Sequence, residues 1–279
     1  MMNNTQTERY ARQLMLPGIG REGQEKLLNS RVLVIGCGGL GCPASLYLAG
    51  AGVGTIGLMD TDRVKLSNLH RQIGHTLLDI NRPKTESLAQ KLRIRNSDIE
   101  VRADHRLFSP ANALEILDEY DVAVDCTDTF EAKFLIADAC HLAGKPYSHA
   151  GVTEYRGQAM TVRPGLSTCY RCIFDPPPRN LPAPSQQGIF GPVAAILGSI
   201  QAAEILKLLL GHGSLLANRL LTVDTSTMRM RDVPFKRRTA CPLCGAEATI
   251  QDLNHFPAPT PSHGCCCGGG GCDRSAPTE

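Results

Sequence analysis

Short, continuous apolar runs alternate with stretches of helical spacing along the first half of the chain. Val32, Leu33, Val34 and Ile35 form one such run, the pattern of a strand buried on both faces. Gly36, Gly38, Gly39 and Gly41 break it. Residues 42–51 then predict a helix and residues 55–59 the next strand, so the opening unit is strand, glycine turn, helix, strand. A loop follows from Asp60 to about Asn81. Leu88, Leu92 and Ile94 give residues 84–94 helical spacing. Residues 99–103 predict a third strand and 113–119 a helix. Residues 121–125 predict a fourth strand, which ends in the polar turn Cys126, Thr127, Asp128. A helix over 131–143 and a strand over 146–148 close the series. Upstream, Arg9 to Gly20 reads as an arm, followed by helical residues around 24–28.

This alternation predicts an α/β fold: a doubly wound, mostly parallel sheet with helices on both faces. After Gly151 the pattern changes. Residues 158–163 and 220–224 predict strands of a smaller antiparallel extension. Between them lie a proline-rich loop, residues 175–187, and an apolar helix from Pro192. From about Gln251 the pattern fades, and Pro257, Pro259, Pro261 and the glycine run 268–271 predict a flexible tail.

Composition narrows the partners. The chain has 279 residues, 42% of them apolar, enough for a sizeable core. A net charge of +2 gives no support for nucleic acid or an anionic membrane as a partner. The polar stretch Met1 to Arg12 is not a secretory leader, so a cytoplasmic location is expected. Residues 193–210 approach membrane-spanning length but carry Gln201, Glu204 and Lys207, which favours a buried helix. Of twelve cysteines, Cys37, Cys42, Cys126 and Cys140 stand isolated among apolar residues and are expected in the core.

Gly36, Gly38 and Gly41 make a G-x-G-x-x-G turn between strand and helix. Glycine lets backbone approach phosphate, and the helix start offers N–H groups and a positive dipole end. Asp60, at the end of the second strand, stands where an acidic residue meets ribose hydroxyls. Taken alone, this turn serves an NAD enzyme as well as an ATP enzyme. Arg71 and Lys84 separate the two: two fixed cations after the turn suit a triphosphate, whereas a nicotinamide cofactor needs only a pyrophosphate clamp. The bland alternative is that both are surface charges. Asp128 stands past the fourth strand, at the carboxyl edge where open sheets bind ligands. Next to phosphates it calls for a screening cation, and magnesium takes one or two carboxylates plus phosphate oxygens. Asp125 is the second candidate ligand; capping of the following helix is the structural alternative for Asp128.

Six motifs occur in order: Arg9-Tyr-Ala-Arg12-Gln13, Gly36 to Gly41, Asp60-Thr-Asp62, Ser67-Asn-Leu-His-Arg-Gln72, Pro83-Lys84 and Asp125-Cys-Thr-Asp128. Together they resemble the MoeB/ThiF/HesA family, relatives of the ubiquitin-activating enzymes, over roughly Arg9 to Gly245. The resemblance implies a homodimer that uses ATP to adenylylate the C-terminal carboxylate of a small ubiquitin-like sulfur carrier ending in Gly-Gly. It places Gly39 and Gly41 at the phosphates and Asp60 at the ribose. Asp62, Ser67, Asn68, Leu69, Arg71, Lys84 and Thr129 join the nucleotide site, with Asp128 on magnesium. Arg12 would reach the neighbouring subunit's site as an arginine finger. The catalytic set is then Arg12, Arg71, Lys84 and Asp128. The chain divides into an arm and helix (1–30), a nucleotide-binding part (31–150), a carrier-binding, zinc-knuckle and dimerisation part (151–250) and the tail (251–279). Sulfur transfer for molybdopterin, thiamine or a related product would follow. Activation of a ubiquitin-like modifier is the alternative, with an NAD-dependent oxidoreductase behind it.

Cys169 and Cys172, with Cys241 and Cys244, form two C-x-x-C pairs. Four soft thiolates suit tetrahedral zinc, with separate redox pairs as the alternative. The family places structural zinc on these four positions. Some relatives carry a reactive cysteine between the knuckles; here none lies between Cys172 and Cys241, and the loop reads Arg179, Asn180, Leu181 onward to Gln186. The length leads us to expect no sulfurtransferase domain. Tail residues Cys265, Cys266, Cys267 and Cys272, beside His263, could carry sulfur, bind a soft metal or be inert.

Overall fold

The computed structural model describes residues 2–174 and 188–257. The expected loop at Arg179–Gln186 and the cysteines of the tail lie outside these residues.

The chain opens with three helices, α1 (Asn4–Arg9), α2 (Ala11–Leu14) and α3 (Gly20–Leu28), where the sequence predicts an arm and only the last of these. Asn3 caps α1: its side chain accepts from the Gln6 backbone N–H, and the Gln6 side chain accepts from the Asn3 N–H. Then come β1 (Arg31–Ile35), α4 (Gly41–Ala51), β2 (Thr55–Met59), α5 (Lys84–Arg95) and β3 (Glu100–Asp104). The first unit thus holds within a residue or two of its expected bounds. α6 (Ala113–Asp118), β4 (Val122–Asp125), α7 (Phe130–Leu142) and β5 (Tyr147–Thr153) complete the parallel portion. β6 (Arg156–Val162), α8 (Arg171–Phe174), α9 (Gly191–Leu210), β7 (Arg219–Asp224) and β8 (Arg229–Pro234) follow.

The strand order is β3-β2-β1-β4-β5-β6-β7-β8. β3 to β5 pair in parallel, and β5 to β8 pair antiparallel. This is the doubly wound sheet with its antiparallel extension. The two portions share β5 and form one continuous sheet across the expected division at residue 150. The chain order reverses between β1 and β4, where Ile35 lies beside Asp125. A crevice therefore opens past the carboxyl ends of these two strands, the place where such sheets bind ligands.

Each face of the sheet has its own core. Val32, Val34, Leu48, Leu88 and Leu197 pack on one side, under α4, α5 and α9. Leu33, Ile35, Phe134, Tyr147 and Tyr170 pack on the other. Alternate residues of β1 thus serve opposite cores, which is why its run is apolar throughout. Cys37, Cys42, Cys126 and Cys140 are all buried, as expected. α9 is long and apolar enough to cross a membrane by length and composition, but half of it is buried inside the protein. Its polar residues serve the fold. The Gln201 side chain donates to the carbonyls of Asp125 and Ser148, and Glu204 accepts from Leu216 N–H at 2.7 Å.

Candidate active site

The glycine turn is built in two layers. Gly36 has φ +99°, and a Cβ there would lie 2.5 Å from the Cys126 carbonyl oxygen. A Cβ on Gly41 would lie 1.9 Å from the Gly36 carbonyl oxygen. These two glycines let β1, the turn and β4 close on each other. Gly38 and Gly39, together with Gly36, line a cavity of about 1220 Å³.

Side chains hold the turn from both sides. Asp60 Oδ2 accepts from the Cys37 N–H at 2.8 Å, and Asp60 Oδ1 accepts from the Asp62 N–H at 2.8 Å. His75 Nε2 is 3.0 Å from the Cys37 carbonyl and its Nδ1 is 2.8 Å from Ser87 Oγ. Burial lowers the His75 pKa, so the ring is neutral. The carbonyl can only accept, so Nε2 carries the proton and Nδ1 accepts from the serine.

Lys84 begins α5 and is buried. Its Nζ lies 2.6 Å from Asp62 Oδ2 and 3.8 Å from Asp60 Oδ2. Burial alone would lower its pKa, but Asp60, Asp62 and the field of Asp128 together raise it above the usual lysine value. Arg71 follows the short 3₁₀ turn Leu66–Asn68, which the Asn68 side chain closes by accepting from Lys65 N–H at 3.1 Å. Arg71 Nη1 donates to the Ser67 carbonyl at 3.1 Å and lies 2.7 Å from His70 Nε2. Among the described residues no carboxylate pairs with Arg71, so its charge is available to an anion.

The two aspartates after β4 differ sharply. Asp125 is 1% exposed; it accepts from His149 Nδ1 at 2.7 Å, Lys133 Nζ at 3.2 Å and Thr127 Oγ1 at 2.7 Å. Burial by itself would raise its pKa, but Lys133, His149 and Thr127 hold it far below the usual carboxylate range. Its oxygens are engaged inside the protein, which removes it as a magnesium candidate. Asp128 is exposed on the cavity wall. It does not cap the next helix: Thr129 is the N-cap of α7, its side chain accepting from Ala132 N–H at 3.3 Å.

The two cysteine pairs meet although they lie far apart in sequence. Cys169 Sγ is 3.8 Å from Cys172 Sγ and 3.5 Å from Cys241 Sγ, and Cys172 Sγ is 3.5 Å from Cys244 Sγ. All four sulfurs lie within 4.8 Å of one another. A zinc–sulfur bond of about 2.3 Å in a tetrahedron sets sulfurs about 3.8 Å apart. The four positions therefore fit one closed tetrahedral ion better than two separate redox pairs.

The sequence matches the ThiF family over residues 10–243. The chain belongs to the ThiF family. It is 41% identical over 258 residues to the sulfur carrier protein adenylyltransferase of Thermus thermophilus, covering 90% of this chain and 95% of that protein. It is 40% identical over 261 residues to the adenylyltransferase and sulfurtransferase MOCS3 of Danio rerio, covering 91% of this chain but only 57% of that protein. Among solved structures, Escherichia coli MccB with ATP is 26% identical with a TM-score of 0.73, covering 87% of this chain and 75% of that one.

Within this ThiF-family chain, Gly39, Asp60, Asp62, Arg71, Lys84, Asp128 and Thr129 all line the same cavity. Gly41 stands behind the turn and is not on the wall. Ser67, Asn68 and Leu69 form the turn that carries Arg71 and do not line the cavity themselves. Arg12 sits exposed on α2, away from the wall. Sequence reasoning passed over Lys133, His149 and His75. Lys133 and His149 line the cavity and fix Asp125, and His75 fixes the turn. Each acts through a partner on another element, 8 residues away for Lys133, 24 for His149 and 38 for His75, so no motif spacing marks it.

Proposed function

We propose that this ThiF-family adenylyltransferase activates the C-terminal carboxylate of a small ubiquitin-like sulfur-carrier protein ending in Gly-Gly, using ATP and releasing pyrophosphate. The reading rests on one observation. An unpaired arginine, a buried lysine, an exposed aspartate and two open glycines converge on one cavity at the switch point of the sheet. That cavity continues onto the antiparallel extension, through Gly151, Gln158 and Thr222, with room for a peptide tail beside a nucleotide.

The carrier carboxylate is ionised at neutral pH and needs no general base. Its oxygen attacks the α-phosphorus; the bond from that phosphorus to the bridging oxygen breaks, and pyrophosphate leaves with the electron pair. The backbone at Gly38 and Gly39 lets the phosphates approach, and Arg71 and Lys84 stabilise charge on them. Positioning and charge stabilisation are then the whole of the protein's contribution. Asp60, fixed by two backbone N–H groups, faces the ribose. Asp128 would hold magnesium, which screens the triphosphate when bound. Cys169, Cys172, Cys241 and Cys244 would hold a structural zinc ion. In a homodimer joined along the remaining apolar face of α9, Arg12 from one protomer would enter the cavity of its partner.

ATP–pyrophosphate exchange tests this. Exchange should require a carrier with a free terminal Gly-Gly carboxylate and should stop when that carboxylate is amidated. Exchange of equal rate with the amidated carrier would sink the proposal.

A further inference from the structure

The antiparallel extension has one face covered and one face open to the cavity. Ala159 and Val223 point to the core beneath α9. The register Arg156↔Asp224, Gln158↔Thr222, Thr222↔Arg231 and Asp224↔Arg229 puts these six side chains on the opposite face. All six line the cavity. Arg156 is neutralised by Asp224 at 3.2 Å. Arg229 and Arg231 are exposed and have no ion-pair partner among the described residues. β8 is the outermost strand, and its free arginines stand at the far end of the cavity from the phosphate-facing residues.

We infer that this ledge selects the carrier by charge: Arg229 and Arg231 receive acidic side chains on the segment just before the terminal Gly-Gly. The inference rests on the carboxylate-activation reading and adds a specificity to it. The spacing sets where the acidic residues fall. Neighbouring strands are about 4.8 Å apart, so β8 lies about 14 Å from β5 and about 19 Å from β4. An extended chain spans about 3.3–3.6 Å per residue. With its carboxylate at the β4–β5 end, the tail meets the two arginines about four to six residues before its C-terminus. Like charges there would face two unneutralised guanidinium groups.

The test uses the full-length protein and the sulfur carrier activated by the Thermus thermophilus relative. Three forms of that carrier have Asp, Ser or Lys at the fourth to sixth positions from the C-terminus. In carrier-dependent pyrophosphate exchange, the KM of the Lys form should exceed that of the Asp form at least tenfold, with Ser between. In Arg229→Ala, Arg231→Ala the ratio should fall to within twofold, and in Arg229→Glu, Arg231→Glu it should invert. The KM for ATP is the internal control, and the melting temperature checks that the edge strand folds. Exchange that proceeds with equal KM for all three forms overturns this inference and leaves carboxylate activation standing. If no form supports exchange, the activation reading itself fails and takes this one with it. Light scattering covers the remaining occupant: a dimer lost in the double glutamate variant would assign the ledge to a second copy of the chain and overturn the inference.

Discussion

Lys84 and Asp62 are joined by a 2.6 Å ion pair on the cavity wall, with the lysine side chain 7% exposed and the aspartate 62% exposed. The buried partner is the cation, so in the proposed reaction the lysine would carry the charge and the aspartate would steady it. Lys84→Ala should lower carrier-dependent exchange by about 10²–10³-fold, the usual loss for one preorganised charge contact. Asp62→Ala should cost no more than a few-fold. Equal losses would mean that the pair, not the charge, is what the reaction needs. The lysine's raised pKa also fixes a sign. Its charged form and the stability it contributes are complete below the ordinary lysine pKa of about 10.4 and are lost only as pH rises through the higher folded value. No Lys84 step should therefore enter the exchange rate below about pH 10.

Asp128 and Thr129 are neighbours with separable roles. Thr129→Ala removes the cap of α7 and should cost about 1 kcal/mol of stability in denaturant unfolding. Asp128→Ala removes an exposed carboxylate with no capping role. It should leave unfolding unchanged while lowering exchange at least a hundredfold. A destabilised Asp128→Ala protein would return this residue to a structural role.

The four-cysteine cluster should hold one zinc ion per chain, measured by elemental analysis. Cys241→Ser should lower both the metal content and the melting temperature, because a closed thiolate site contributes folding energy. The effect belongs to folding: Arg171, between the first two cysteines, also ties this region to α7 through Asp138 at 2.7 Å. A metal-free preparation with unchanged melting would remove zinc from the picture.

The two members of one buried pair, His149 and Asp125, make stability depend on pH. Burial lowers the pKa of His149, so the folded ring stays neutral where the unfolded one takes up a proton. Its contribution is therefore present above the unfolded value of about 6.5 and is lost as pH falls below it. Asp125, held far below the usual carboxylate range, contributes stability above the unfolded value of about 3.9 that is lost in stronger acid. The melting temperature should fall from pH 7 to pH 5, and less steeply in His149→Asn. Parallel curves for the two proteins would exclude His149 as a source of the slope.

Much of the fold was legible because each buried strand carries its signal locally. The run Val32 to Ile35 is apolar on both faces, and the glycine turn marks where it ends. β8 was not legible: all six of its residues, Arg229 to Pro234, are exposed, so burial imposes no apolar alternation on them. The site divides the same way. Gly39, Asp60, Lys84 and Asp128 sit at strand ends and helix starts that sequence alone can place, and Arg71 lies in the loop between β2 and α5. Whether Asp125 or Asp128 is free for a ligand depends on Lys133 and His149, which arrive from α7 and β5. Only the assembled sheet shows that Asp125 is already occupied.

β5 pairs in parallel with β4 on one edge and antiparallel with β6 on the other. The phosphate end and the arginine ledge are consequently parts of a single plank, and the separation between them is a fixed length. Such a plank works as a ruler. A carrier whose tail gained one residue between ledge and carboxylate would overshoot by about 3.3 Å and would have to buckle to react. If the ledge reads tail charge as inferred, the same plank would make tail length a second criterion.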